Sequence, residues 1–177
     1  MQFLKALLAL PLAAAVAVPG GWKDNNCLTD ADAQYIISQS TVFLEHKDVA
    51  AAKAAAYSIF TDDIQEFGDS INSLRGDPLG TQVENGITRY VNETTSQPPI
   101  PNITTIDYFY DCNDLLWEWY FDLGIPAPSP NYRIEGVTII KVNSDKKVYY
   151  QKVIFNSLAW AENIGFTVIP PAGGIGG

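Results

Sequence analysis

Three carboxylates that lie close together in the sequence are the residues best suited to acid–base chemistry: Asp62, Asp63 and Glu66. A carboxylate works as a general base near neutral pH only when burial raises its pKa, and a second acid beside it helps to raise that pKa. A simpler interpretation, which we favour from the sequence, is that Asp62 and Asp63 end a helix and are solvated. An acid–base site therefore requires at least one of the three to be buried against an open cavity.

A second group of residues could hold a flat ligand, because aromatic side chains stack on ring systems. Four aromatic residues and two candidate polar anchors make up this group: Tyr108, Tyr110, Trp117, Trp119, Arg133 and Asn156. The alternative is that aromatic residues alternating along strands form an ordinary core. Nothing in the sequence orients the two polar residues.

Signals for other chemistry are missing from the sequence. It contains no Gly-x-Ser-x-Gly elbow, Walker loop, dinucleotide fingerprint or His-Glu-x-x-His pair. The one histidine, His46, lies in the polar run between two predicted helices, where we expect it to be solvated, and no close cysteine pair accompanies it. We therefore expect no metal and no organic cofactor. Spacing alone leaves a glycosidase-type pair of carboxylates open.

The start of the chain has the pattern of a secretory signal peptide. Residues 1–17 carry one positive charge, at Lys5, followed by an apolar run that ends in small residues. This run is too short to cross a bilayer as a helix, and no longer apolar segment follows, so we expect a secreted protein without a membrane anchor.

Other residues suit the same compartment. Asn92 and Asn102 are each followed two positions later by threonine, and they flank a proline-rich segment that we expect to be an exposed, glycosylated loop. Cys27 and Cys112 are an even number of cysteines in an oxidising environment. A bridge between them would close a long loop and contribute about 3 to 5 kcal/mol to stability in the chain-entropy model.

Composition limits the remaining choices. Hydrophobic residues make up 47% of the chain and aromatic residues 12%, enough for a large core in one domain. We place that domain at residues 27–169, after the signal peptide and a short lead (18–26), and before a flexible tail (170–177). The formal net charge of -9 and the lack of a basic cluster argue against nucleic-acid binding.

Helical patterns fill the first half of the domain. Thr29 and Asp48 are predicted N-caps of two helices, the second rich in alanine and running to about Ile59. A short strand follows, and then a long irregular loop that reaches Gly80. A third helix is predicted to begin at Thr81, whose pairing with Glu84 reads as a capping box.

Strand patterns fill the second half. Four runs rich in β-branched and aromatic residues are predicted to form consecutive antiparallel strands: 105–110, 115–123, 132–142 and 148–155. Alternation places Leu115, Trp117, Trp119 and Phe121 on the inward face of the second run. The predicted fold class is α+β, with three N-terminal helices packed on a strongly curved antiparallel sheet that leaves a conical hollow between sheet and helices.

Several short motifs resemble those of the secreted fungal branch of the nuclear transport factor 2-like (SnoaL-like) superfamily. They are Cys27–Ala33, Phe67–Leu74, Asp111–Cys112 ahead of Trp117–Trp119, and Phe155–Trp160. The resemblance implies the cone-shaped fold, a Cys27–Cys112 disulfide and an internal cavity. Enzymes of this superfamily typically use a His or Asp acid/base on small cyclic or polyketide substrates without a cofactor. This chain departs from that pattern, since it has one histidine, and Ile154 stands where relatives often carry an acid.

Three functions remain open. The first is binding of a small hydrophobic or aromatic molecule in the hollow. The second is a cofactor-free isomerase, cyclase or dehydratase that acts on a small polyketide-like substrate. The third is a structural or interaction domain whose hollow is filled by its own side chains, and for which a homodimer is left open.

Overall fold

The two N-terminal helices begin where their capping residues predict. Helix α1 (Asp30–Glu45) starts after Thr29, whose hydroxyl accepts the backbone N–H of Asp32 while the Asp32 carboxylate accepts the backbone N–H of Thr29 at 2.8 Å. Helix α2 (Val49–Ile59) starts after Asp48, whose side chain accepts two backbone N–H groups of the first turn. Each cap satisfies helix N–H groups that lack a partner within the helix. Both predictions are confirmed.

The structure, a computed structural model, describes residues 26–126 and 130–169. After the first two helices the described chain forms β1 (Phe60–Phe67), α3 (Asp69–Arg75), β2 (Gln82–Asn85), α4 (Ile87–Ser96), β3 (Thr104–Tyr110), β4 (Asp114–Phe121), β5 (Ile134–Val142), β6 (Val148–Phe155) and α5 (Ser157–Asn163). Among these helices none is both long and apolar enough to span a bilayer. The predicted signal peptide (1–17) and tail (170–177) lie outside the described residues, as does most of the lead.

The six strands form one open sheet in the order β2-β1-β6-β5-β4-β3. The four strands predicted from the second half of the chain are present and pair with one another in antiparallel fashion. The sheet as a whole is mixed, because β1 pairs with β6 in parallel. The predicted α+β fold with its helical layer is confirmed, and the sheet differs from a purely antiparallel one by this single pairing.

The prediction of a third helix beginning at Thr81 is wrong. The Thr81 hydroxyl donates to the carbonyl of Pro78, and the next four residues form β2. Glu84 is therefore a strand residue and caps no helix. The helix that follows, α4, begins after Gly86, whose φ of 85° turns the chain out of the sheet in a conformation that favours glycine. The predicted irregular loop also contains helix α3.

The inward face of β4 carries the side chains that the alternation predicts. Leu115, Trp117, Trp119 and Phe121 are all buried. Trp119 lies directly over Gly136, its partner on β5, where an added Cβ would come within 2.5 Å of the indole ring and 2.9 Å of a backbone oxygen. The indole N–H donates to Thr138 Oγ1 at 2.9 Å. Because Gly136 has no Cβ, the indole of Trp119 has room to pack against β5.

The two cysteines form a disulfide that joins the start of α1 to the turn between β3 and β4. The backbone N–H of Leu28 also donates to the Cys112 carbonyl at 2.8 Å, so two links hold the ends together. The bridge spans 85 residues of sequence and encloses both N-terminal helices and β1 to β3. Closing so long a loop removes conformational freedom from the unfolded chain.

Replacing both cysteines with serine is expected to lower the free energy of unfolding by about 4 kcal/mol. The unfolded chain regains the conformational entropy that the bridge removes, and folding must then overcome it. Urea denaturation followed by tryptophan fluorescence measures the change. Wild-type protein treated with a reductant is the matched control and is expected to lose a similar amount. A loss below about 1 kcal/mol in both samples would contradict the role given to the bridge.

Candidate functional site

A cavity of about 430 Å³ lies between the inner face of the sheet and the helices. Aromatic side chains supply much of its wall: Phe43, Phe60, Trp117, Trp119, Phe121, Phe155 and Trp160. The Trp119 and Phe121 rings stack with centroids 5.9 Å apart, and the Phe121 and Trp160 rings meet edge to face at 5.1 Å. The volume lies within the range of small-molecule sites in proteins. The interior is thus hollow and mainly apolar.

One corner of the cavity is polar. It is formed by Glu66 on β1, Tyr90 on α4 and Gln151 on β6, all of them buried. The Gln151 amide nitrogen donates to Glu66 Oε1 at 2.7 Å and to the Tyr90 hydroxyl oxygen at 2.6 Å. Glu66 and Gln151 are register partners on neighbouring strands, so the sheet itself sets their separation.

The environment of Glu66 makes it suited to proton transfer. Burial raises its pKa from 4.5 to about 7, and the nearby charge of Glu84 acts in the same direction. Hydrogen bonds with Gln151 and Tyr90 and the charge of Arg75 oppose this rise. Burial also raises the pKa of Tyr90, so its hydroxyl remains protonated. Glu66 can therefore exist as either an acid or a base near neutral pH.

A second buried carboxylate, Glu84, lies directly across from Glu66 on β2. Arg75 donates from Nη1 to Glu84 Oε1 at 3.0 Å. Arg89 Nε lies 3.1 Å from Oε2, near enough for an ion pair although it lacks the angle of a hydrogen bond. Two guanidinium groups, from α3 and α4, thus compensate the charge of Glu84. Arg75 also lines the cavity.

Residues 97–103, which we call the strap, join α4 to β3 and close part of the cavity wall. Three of the seven residues are prolines and have no backbone N–H to donate. The strap is tied to the end of α1 by two backbone donors: Ile100 to the Leu44 carbonyl at 3.2 Å, and Ile103 to Glu45 Oε1 at 2.9 Å. Its outer residues, including Asn102, are exposed.

The expectation that His46 is solvated is wrong. Its side chain is buried and lines the cavity beneath the strap. Nδ1 lies 3.0 Å from the Leu44 carbonyl oxygen and Nε2 lies 3.0 Å from that of Gln97. His46 ends α1 with a positive φ of 21°, and this turn brings the ring under the strap instead of into water. The polar sequence around it gave no sign of that packing.

The predicted site residues divide into two groups. Glu66, Trp117 and Trp119 line the cavity together. Asp62 and Asp63 are exposed at the start of β1 and take no part in it. Alternation along β1 turns Glu66 inward, while the two aspartates precede the part of the strand that pairs with β2.

The other four candidates lie away from the cavity lining. The Tyr108 hydroxyl donates to Asp30 Oδ1 at 2.7 Å, and Tyr110 is exposed. Arg133 pairs with Asp122 and stacks on the ring of Tyr120. Asn156 accepts a backbone N–H as the N-cap of α5. Their positions offer no support for a role in ligand contact.

Sequence reasoning missed Tyr90 and Gln151 as site residues, and it missed the ion-pair partners Arg75 and Glu84. Gln151 carries a usable signal, because a polar residue at an inward position of an apolar strand needs a buried partner. Arg75 carries no such signal, since it ends a helix in a segment predicted to be a loop.

Within the described residues, no group of three or more His, Cys, Asp or Glu side chains is arranged to hold a metal ion.

Several solved structures share this architecture. TsrD from Streptomyces laurentii has a TM-score of 0.58 and 15% sequence identity, covering 79% of this chain and 99% of its own. A protein with a ketosteroid isomerase-like fold from Catenulispora acidiphila, in complex with trimethylamine, has a TM-score of 0.57 and 9% identity, over 75% and 93% of the two chains. A SnoaL-like protein of unknown function from Burkholderia thailandensis has a TM-score of 0.54 and 16% identity, over 73% and 98%. At these identities the likeness concerns the fold alone.

Sequence comparison gives the family. No curated protein sequence matches the chain significantly. The model of the NTF2-like domain, in contrast, matches residues 26–167, which include every helix and strand described above. The chain therefore belongs to the NTF2-like family.

Proposed function

We propose that this protein binds a small, ring-containing and largely apolar molecule in the cavity. The observation that carries the proposal is a hollow of about 430 Å³ whose wall is mainly apolar, with many aromatic side chains, and which has one buried polar corner formed by Glu66, Tyr90 and Gln151. Stacked and edge-to-face rings offer a flat guest the contacts that aromatic pairs favour. The polar corner offers hydrogen bonds that orient it. A purely structural domain would be expected to fill this space with its own side chains.

A second candidate is a cofactor-free isomerase, cyclase or dehydratase, and one observation favours it. Glu66 is buried, faces the cavity and has a pKa of about 7. Its carboxylate could take a proton from a carbon beside a substrate carbonyl and return it elsewhere on the same molecule. The neutral hydroxyl of Tyr90 lies in the same corner and could donate to the oxygen on which negative charge develops.

We also propose that the protein is secreted, glycosylated at Asn92 and Asn102, and a member of the fungal branch of its family. The signal-like N-terminus, the two sequons and the motifs named above support this proposal. The Cys27–Cys112 disulfide is consistent with an extracellular protein. Both asparagines are exposed and accessible to a glycosyltransferase.

Filling the cavity is expected to weaken binding of a neutral apolar probe. Val153 lines the cavity, and its neighbour Ile154 lies on the other face of β6, 47% exposed. V153F is expected to weaken binding of N-phenylnaphthylamine by about tenfold or more, because the added ring occupies the space of the guest. The matched control, I154F, is expected to bind as the wild type does. Probe fluorescence measures both, and equal binding by the two variants would contradict the site.

Catalysis of proton transfer by Glu66 is tested with β-tetralone, a small ring ketone, in deuterated water. The wild type is expected to speed deuterium uptake beside the carbonyl, with a rate that rises as the pH passes about 7, because only the ionised carboxylate acts as a base. E66Q is expected to be slower by about a hundredfold or more. The control D62N, which changes an exposed carboxylate, is expected to keep the wild-type rate. Equal rates for E66Q and wild type would rule out this candidate.

A further inference from the structure

Arg75 is an unusual member of the cavity wall. Among the described residues that line the cavity, it is the one lysine or arginine. Helix α3 ends at this residue, and its side chain is 37% exposed, so the guanidinium lies where the cavity meets solvent. The rest of the lining is apolar apart from the buried polar corner, the imidazole of His46 and a few hydroxyl and amide groups. A cation in such a wall could bind an anionic group on the guest.

The guanidinium of Arg75 keeps donors free for a guest. Within the described part of the chain it makes one hydrogen bond, from Nη1 to Glu84 Oε1. An arginine side chain has five N–H donors in a planar fork, and two parallel donors match the two oxygens of a carboxylate. Glu84 therefore holds the Arg75 guanidinium in position while occupying only part of its hydrogen-bond donors. A carboxylate on the guest could take the remaining donors.

The balance of charge points the same way. Glu66, Glu84, Arg75 and Arg89 form one cluster, linked by the Glu66–Glu84 pairing across the strands and by two ion pairs. When Glu66 is ionised, the two carboxylates balance the two guanidinium groups. When Glu66 holds a proton, one positive charge is left uncompensated. An anionic guest would restore the balance in that state.

We infer that the guest is a ring-containing carboxylic acid whose ring system fills the aromatic hollow and whose carboxylate is bound by Arg75 at the mouth. This inference rests on the proposed binding function and names the chemical class of the ligand. The chain as a whole carries a net charge of -9, so an anion needs such a local cation to overcome the general repulsion.

Two probes of equal shape test the inference: naphthoate, which carries the carboxylate, and naphthamide, which is neutral. Isothermal titration calorimetry on the full domain gives the Kd of each. The wild type is expected to bind naphthoate more tightly than naphthamide. R75Q is expected to weaken naphthoate binding by about tenfold or more, the size expected for charged hydrogen bonds, and to leave naphthamide binding within about twofold.

Arg89 supplies the matched control. It pairs with the same carboxylate as Arg75, but it is 62% exposed and is not part of the cavity lining. R89Q therefore removes a charge from the cluster without removing a ligand contact, and it is expected to keep most of the preference for naphthoate. Retained naphthamide binding shows that R75Q is folded, so a loss of naphthoate binding can be assigned to the missing guanidinium.

The outcomes separate the inference from the function on which it rests. If the wild type binds naphthamide as tightly as naphthoate, or if R75Q keeps the preference for the acid, the assignment of Arg75 is overturned while binding in the cavity stands. If the wild type binds neither compound, the proposed function is contradicted as well. If R89Q loses the preference as fully as R75Q, the effect belongs to the general field of the cluster and the direct contact is overturned.

Discussion

Two carboxylates buried side by side constrain the charges that this edge of the sheet can hold. Glu66 and Glu84 face each other across β1 and β2, where like charges destabilise a sheet. Arginines from α3 and α4 compensate Glu84, which ties both helices to this edge of the sheet. Glu66 has neutral hydrogen-bond partners instead, and its raised pKa keeps it protonated, and therefore uncharged, below about pH 7. Because its pKa rises from 4.5 to about 7 on folding, its ionisation costs no stability below pH 4.5 and costs the full amount, about 3 kcal/mol, above about pH 7.

The hollow beside these carboxylates is bounded by the inner face of the sheet, by the helices and by the strap. Gly136 leaves room for the indole of Trp119 beside β5, and the indole N–H donates a hydrogen bond to Thr138. The strap closes one side with prolines and isoleucines, held to the end of α1 by few hydrogen bonds. Aromatic walls on one side and a strap held by three hydrogen bonds on the other suit a site that admits a small guest.

Local patterns predicted much of this fold, and interactions between distant residues account for what they missed. The caps at Thr29 and Asp48 and the alternation along β4 are local signals, and the structure confirms them. Glu84 showed how such a signal misleads, since the spacing of a capping box occurred in a strand held by arginines from two helices. The parallel pairing of β1 with β6 and the burial of His46 under the strap join residues far apart in sequence, and no local pattern reports them. Glu66 could be predicted because a carboxylate is suited to acid–base chemistry, whereas Tyr90 and Gln151 resemble ordinary core and strand residues in the sequence.

We expect the Glu66 carboxyl group in the cavity to change its protonation near neutral pH. Carbon-13 NMR of the Glu66 side-chain carboxyl group, followed as a function of pH in the folded protein, measures this directly. The structure predicts a titration midpoint at about 7. A midpoint at the ordinary value of 4.5 would mean that burial produces no net rise in the pKa of Glu66, and it would contradict the acid–base chemistry assigned to this carboxyl group.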